Sequence, residues 1–487
     1  MTGSLRSKTF RALSWSFLES IVVRSVQFVI GIILARLLLP EQFGLIGMLT
    51  IFIAVGQCFL DSGFGAALIR KREATPTDIC SIFYFNVAVG LVVTSLLSLA
   101  APWIATFFKQ PTLIPLTRAL SLTIVINSLG LIQNVMLNKQ INFKTQTKIS
   151  LIAGVLSGTI GVSLAVAGFG VWSLAIQQVS SALIRNGCLW IFRPWRPALL
   201  FSFKALREMF SFASRLLCVW FLSVIFDNIY LVVIGKLYSA ADLGFFTRAK
   251  ALREVPTQTL WEMVGRVTFP VFATIQDDTD RVKRGLKKAL TTLALVNFPM
   301  MIGLAVTARP LVLVLLTEKW AESIPYFQLL CLVGLSFPVY GINLNVVQAL
   351  GRADIYFRLE IVKKVLIGIN IAVTWQWGIS AMICGMFVVE IISYNLNSYY
   401  TGILIGYPMR EQLRDLFPYL LMAVLMGMSV YVAGFLPFPN NWTMLVVQIV
   451  SGIIIYGFLC RIFRLTAFME TWEAVCDKMP FLRAGTA

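Results

Sequence analysis

Lys250, Arg253 and Glu254 fall at i, i+3 and i+4 of an otherwise mostly apolar stretch, so on a helix their charges share one face. Arg248, Glu262 and Arg266 stand around them. Further charges are embedded elsewhere in apolar surroundings: Glu19 and Arg24, Asp61, Arg118, Arg185, Arg215 and Asp227, and Glu390. An ionised side chain at the centre of a bilayer costs ~2.5–3.5 kcal/mol on insertion scales, so such residues should face a water-filled space or one another. Guanidinium groups offer forked, permanently charged donors, which suits a phosphate or an acidic sugar. Arg24, Arg215, Arg248, Lys250 and Arg253 are therefore the candidate substrate-binding cations. Glu19, Asp61, Asp227, Glu254 and Glu390 are the candidates for ion coupling, or for structural partners of those cations. The competing reading, pairing near helix ends or snorkelling to headgroups, suits Arg118, Arg185 and Arg266 best.

The elements that must position these charges are membrane helices. Of the 487 residues, 58% are hydrophobic and only 13% charged, with a mean hydropathy of +0.81. The first long apolar stretch, Leu13 to Leu39, reads as a retained helix because no small-residue cleavage site follows it. Apolar stretches then recur to Phe463, and about fourteen transmembrane helices fit them. The second is expected over 43–66 and the ninth over 289–316. The net charge of +18 is not a nucleic-acid footprint, because Lys and Arg cluster in alternate connections such as Arg70 to Arg72, Arg281 to Lys288 and Arg352 to Lys364. By the positive-inside rule those connections and both termini are cytoplasmic.

Histidine is absent, which excludes histidine metal ligands and Ser/His or Cys/His catalysis. The eight cysteines are scattered singly and read as small buried apolar residues. No cofactor is implied. The acidic run Asp277 to Asp280 reads as a solvated loop, Phe203 to Phe212 as a basic, aromatic segment at the cytoplasmic interface, and the stripe Phe468, Trp472, Val475, Cys476 and Met479 as a further interfacial helix.

The two halves of the chain repeat. Leu34 to Gly44 aligns with Ile234 to Gly244 at an offset of 200 (236 − 36 for Arg36 and Lys236), Gly130 to Val135 aligns with Gly341 to Val346 at 211 (341 − 130), and Gly170 aligns with Gly378 at 208 (378 − 170). These matches predict an all-α polytopic membrane protein of two six-helix bundles related by a pseudo-two-fold axis along the membrane normal, plus two C-terminal helices. The bundles are expected over 1–200 and 201–404, the appended helices over 405–464 and a cytoplasmic tail over 465–487. Arg24 and Arg215 become equivalents on the first and seventh helices, lining a central cleft. Pro256, Pro270, Pro299 and Pro338 are expected to interrupt helices of the second half.

No G-x-x-x-x-G-K-[ST] motif and no large soluble segment is present, so a primary pump is excluded. A membrane-embedded glycan polymerase or ligase would present charged extracytoplasmic loops, and here those connections are short and nearly uncharged.

Ile33 to Gly44, with its Pro40-Glu-Gln-Phe-Gly44 end, followed by Asp61-Ser-Gly63-Phe-Gly65-Ala-Ala-Leu-Ile69, resembles the opening of Wzx-type polysaccharide exporters of the multidrug/oligosaccharidyl-lipid/polysaccharide superfamily, closest to the colanic-acid-exporter-like branch. The resemblance implies a non-enzymatic flippase of the bacterial inner membrane. It would carry undecaprenyl-diphosphate-linked oligosaccharide units to the periplasmic leaflet by alternating access, in company with the polymerase and glycosyltransferases of a polysaccharide cluster. It also implies a cationic lumen, matched here by Arg24, Arg215, Lys250 and Arg253. A peptidoglycan-precursor flippase and a multidrug exporter of the same superfamily are the alternatives, and the surplus of embedded cations argues against the exporter of organic cations.

Overall fold

The computed structural model describes residues 22–61, 63–71, 74–140, 142–193 and 195–478. Among them there are only helices, turns and loops. Ten helices are long and apolar enough to cross a membrane, making this a multi-pass membrane protein. The chain divides into two compact units, Met1–Thr247 and Arg248–Ala487.

The first unit holds α1 (22–37), α2 (Pro40–Asp61), α3 (Phe64–Arg70), α4 (Pro76–Phe108), α5 (Leu113–Lys139), α6 (Phe143–Val166), α7 (Val171–Phe192), α8 (Phe203–Leu237) and the start of α9 (Ala240–Thr274). The expected helix over 43–66 ends early. α2 ends at Asp61, and Gly63 sits at φ +72, a left-handed conformation at the start of α3 that favours glycine. Thr75 and Asp78 form a reciprocal capping box that starts α4, with Pro76 at its first turn. α4 packs along α5, α6 along α7, and α2 between α5 and α8. The basic, aromatic segment at 203–212 is the opening of the continuous α8. It is amphipathic: Leu206, Met209 and Ala213 are buried against Phe64, Leu68, Phe83 and Val135, while Phe203 and Phe210 are exposed.

Repeat-equivalent positions meet within this unit. A Cβ on Gly44 would overlap the carbonyl of Ala240, and one on Gly244 would overlap the carbonyl of Pro40. The offset of 200 that relates Gly44 to Gly244 also relates Pro40 to Ala240, so the two contacts are symmetric. Only glycine lets these backbones touch, the small-residue logic of helix packing in lipid.

The second unit holds the rest of α9, α10 (Thr279–Val306), α11 (Ala308–Leu316), α12 (Ser323–Ala349), α13 (Ala353–Thr374), α14 (Ile379–Ile405), α15 (Met409–Ala433), α16 (Asn441–Ile462) and α17 (Thr466–Lys478). The expected helix over 289–316 is two helices. Pro310 has no N–H to give the Val306 carbonyl four residues back and its ring crowds that carbonyl, so α10 stops there. By contrast Pro256 and Pro270 sit inside a continuous α9, Pro299 inside α10 and Pro338 inside α12, so none of these four prolines ends its helix. Asp278, from the acidic run, caps α10 by accepting the Arg281 N–H at 3.0 Å. The basic run that follows is the first turns of α10 rather than a loop. Lys283 pairs with Glu411 at 2.8 Å, Lys287 with Asp415 at 2.8 Å and Lys288 with Glu470 at 2.5 Å, so α10 is pinned to α15 and α17.

A buried polar knot ties α12, α14 and α15. Asn343 Nδ2 donates to Gln412 Oε1 at 3.1 Å, and Gln412 Nε2 returns a bond to Asn343 Oδ1 at 3.1 Å and reaches the Tyr407 carbonyl at 2.9 Å. The Tyr394 hydroxyl donates to Gln412 Oε1 at 3.1 Å. Where lipid offers no competing partners, such bonds and close packing hold helices together. The tail forms α17 as far as Lys478, with Phe468 stacked on Trp472; Met479 lies outside the described residues.

Candidate functional site

Within the second unit, charges from α9, α13 and α14 meet around Glu390, and α9 carries a further local pair one turn from Arg253. Lys250 Nζ lies 3.7 Å from Glu254 Oε1 one turn on, as the i, i+4 spacing predicts. Arg253 emerges from the same helix and lies along α12, where a Cβ on Gly334 would sit 3.3 Å from its Cδ. Glu390 on α14 lies in the electrostatic field of Arg253, Lys363 and Glu360. Lys363 Nζ is 2.6 Å from Glu360 Oε1, only 9% of its side chain is exposed, and it stands 5.0 Å over the Tyr340 ring.

These charges are not equally satisfied. Lys250 with Glu254 and Lys363 with Glu360 form two local pairs. Arg253 Nε and Glu390 Oε2 are buried and accept or donate no hydrogen bond among the described residues. Arg248 is half-buried one turn before, with its Nε buried. The three helices thus contribute three cations and three carboxylates here, and Arg248 is a further cation on α9. That arrangement can hold an anion by its guanidinium and ammonium groups or exchange a proton at its loose carboxylate.

The other sequence-derived candidates belong to the first unit. Arg24 is half-buried on α1, while Arg215 and Asp227 are exposed on α8. The Arg215 guanidinium donates to Ser211 Oγ at 3.5 Å in its own helix. Glu19 lies outside the described residues, as does the side chain of Asp61, the last residue of α2. Sequence reasoning missed Glu360, whose i, i+3 spacing to Lys363 was the available signal, and it counted Lys363 only as a marker of a cytoplasmic connection.

A second feature has no sequence signal. An open groove of about 870 Å³ runs between α10 and α16, lined by apolar residues such as Leu295, Pro299, Val430 and Ile453, and it ends at Arg461 and Trp472. Arg461 stands 6.0 Å over the Trp472 ring.

Comparison with known proteins follows the same lines. The chain is 27% identical over 420 residues to the teichuronic acid biosynthesis protein TuaB of Bacillus subtilis, covering 82% of this chain and 86% of that protein. It is 28% identical over 465 residues to the lipopolysaccharide biosynthesis protein WzxC of Escherichia coli, covering 93% and 89%. Its fold is similar to that of the lipid II flippase MurJ in an inward closed conformation, with a TM-score of 0.76, 15% identity, and 93% and 97% of the two chains covered. Residues 33–325 match the polysaccharide biosynthesis protein family, and the chain belongs to that family.

Proposed function

We propose that this protein is a flippase that moves undecaprenyl-diphosphate-linked oligosaccharide units across the bacterial inner membrane for surface polysaccharide synthesis. Membership of the polysaccharide biosynthesis family supports the pathway, and the relatives named for teichuronic acid and lipopolysaccharide biosynthesis span most of the chain. The observation that carries the chemistry is the charged face of α9, where Lys250, Arg253 and Glu254 stand together, with Arg248 on the same helix. Forked guanidinium donors match a diphosphate, and a lipid surface would not tolerate them.

Four further helices, α1, α7, α9 and α13, stand outside those ten. We read them as the remaining spans, which gives fourteen, because they carry many of the embedded charges and complete two six-helix halves plus α15 and α16. On this topology both termini are cytoplasmic and Arg24 and Arg215 approach the cargo from equivalent helices. Glu19, Asp61, Asp227, Glu254 and Glu390 couple transport to an ion or hold the cations in place. The MurJ-like fold favours one second reading, a flippase for a peptidoglycan precursor, which differs only in the glycan carried.

The decisive experiment follows lipid-linked repeat units in a strain lacking this protein, using a periplasmic glycosidase as the probe. Accumulation of units shielded from the enzyme is the expected result. Normal exposure at the periplasmic face would overturn the transport assignment, and a block in cell-wall synthesis instead of polysaccharide would favour the second reading.

A further inference from the structure

Within the charged cluster, Arg253 and Glu390 are the two groups left over. Lys250 is committed to Glu254, and Lys363 to Glu360 and the face of Tyr340. Arg253 and Glu390 lie within each other's field, yet they form no ion pair, and each keeps a buried polar atom, Nε and Oε2, without a partner. Opposite charges that share a field, stay unjoined and each keep a buried unpartnered polar atom are unusual, because each bears its own desolvation cost. An orphaned guanidinium nitrogen calls for an exchangeable anion. An orphaned carboxylate oxygen calls for a proton or a cation.

The surroundings restrict the choice. Of the elements packed on α14, α13 supplies Lys363 and Glu360, while among the described residues α10, α12 and α15 supply no charged group that acts on Glu390. Cys331 of α12 faces Arg253 instead. Among the described residues Arg253 and Lys363 are the cations that act on Glu390, and Lys363 is already paired, so anything that draws the guanidinium away leaves the carboxylate less compensated.

We propose that Glu390 competes with the phosphate-bearing cargo for Arg253, and that it takes up a proton from water when the cargo wins. In the cycle, the guanidinium turns to the diphosphate, the carboxylate takes a proton from water and becomes a neutral acid, and departure of the cargo lets the carboxylate release that proton to water and return to the field of Arg253. This rests on the reading of Arg253 as a cargo-binding cation, and it makes proton exchange a consequence of cargo occupancy.

The test uses the purified full chain in lipid nanodiscs with undecaprenyl diphosphate as the probe. Calorimetry at mildly alkaline pH, in buffers of different ionisation enthalpy, counts the protons taken up per probe bound. Wild type is expected to take up about one proton more than Glu390→Gln, which should bind the probe tighter by about 5- to 150-fold, the usual range for coupled sites. Glu390→Asp should keep the proton uptake. Equal proton counts and equal affinity in wild type and Glu390→Gln would overturn the proposal while leaving the cargo reading intact. Undiminished binding by Arg253→Ala would instead overturn the cargo reading, and this assignment with it.

Discussion

Replacing Gln412 by leucine tests whether the buried knot at α12, α14 and α15 holds the second unit together. Leucine is of comparable bulk and carries no donor or acceptor, so the main loss is of hydrogen bonds. Of the groups that Gln412 satisfies, Asn343 keeps its Nδ2 bond to the Val339 carbonyl at 3.2 Å, and its Oδ1 still receives the Thr401 hydroxyl at 3.1 Å. The Tyr394 hydroxyl and the Tyr407 carbonyl are left without the partners they have now. Two orphaned buried groups at ~1–3 kcal/mol each give a loss of roughly 2–6 kcal/mol. Thermal unfolding of the purified protein in detergent, followed by tryptophan fluorescence, reads this directly. Tyr394→Phe should cost stability in the wild type but restore part of it in the Gln412→Leu background, because there it removes an orphaned hydroxyl. Equal costs for Tyr394→Phe in both backgrounds, or a Gln412→Leu protein as stable as wild type, would refute the argument that these bonds are structural.

Gly44→Ala and Gly244→Ala should each lower stability by about 1–3 kcal/mol through overlap with a partner's backbone, whereas Gly187→Ala, exposed on α7 with open space around it, should be neutral or stabilising by about 0.5–1 kcal/mol; melting temperatures of the three variants separate these outcomes. Burial, together with its bond to Asp415, holds the Tyr407 phenol above its ordinary range. A raised value means stability that is present below an unfolded phenol pKa of about 10 and lost as pH rises beyond it. Tyr407→Phe should therefore flatten the alkaline limb of a melting-temperature profile, and an unchanged limb would argue against it. Alanine at Arg24, Arg215 or Arg253 should abolish polysaccharide export at normal membrane levels of protein; full export by all three would remove the case for a cationic path.

Much of the fold can be read from apolar run lengths, because lipid leaves helices as the way to satisfy a backbone. The breaks were harder. Gly63 and Pro310 both lie within long apolar runs, and whether a glycine adopts φ > 0 or a proline ends a helix depends on neighbours that a hydropathy window does not contain. Pro256 and Pro270 show the converse, since α9 continues through both. The spacing of Lys250 and Glu254 identified their pair because it is local to one helix. Arg253, Glu360 and Lys363 are not linked to Glu390 by any spacing in the sequence, because that meeting depends on how α9, α13 and α14 are placed in three dimensions.

The charged face of α9 also bears on how the protein is made. On the proposed topology this helix must enter the bilayer during synthesis with Arg248, Lys250, Arg253, Glu254 and Glu262 already on it, and each charge near the helix centre opposes insertion by about 2.5–3.5 kcal/mol. The groups that surround Arg253, on α13 and α14, emerge from the ribosome about a hundred residues later. Until then α9 depends on α8 and α10, its strongly apolar neighbours in sequence, to be carried into the membrane. Chains cut short before α13 should therefore be recognised as defective and degraded, which makes the second half of the protein a chaperone for a helix in its middle.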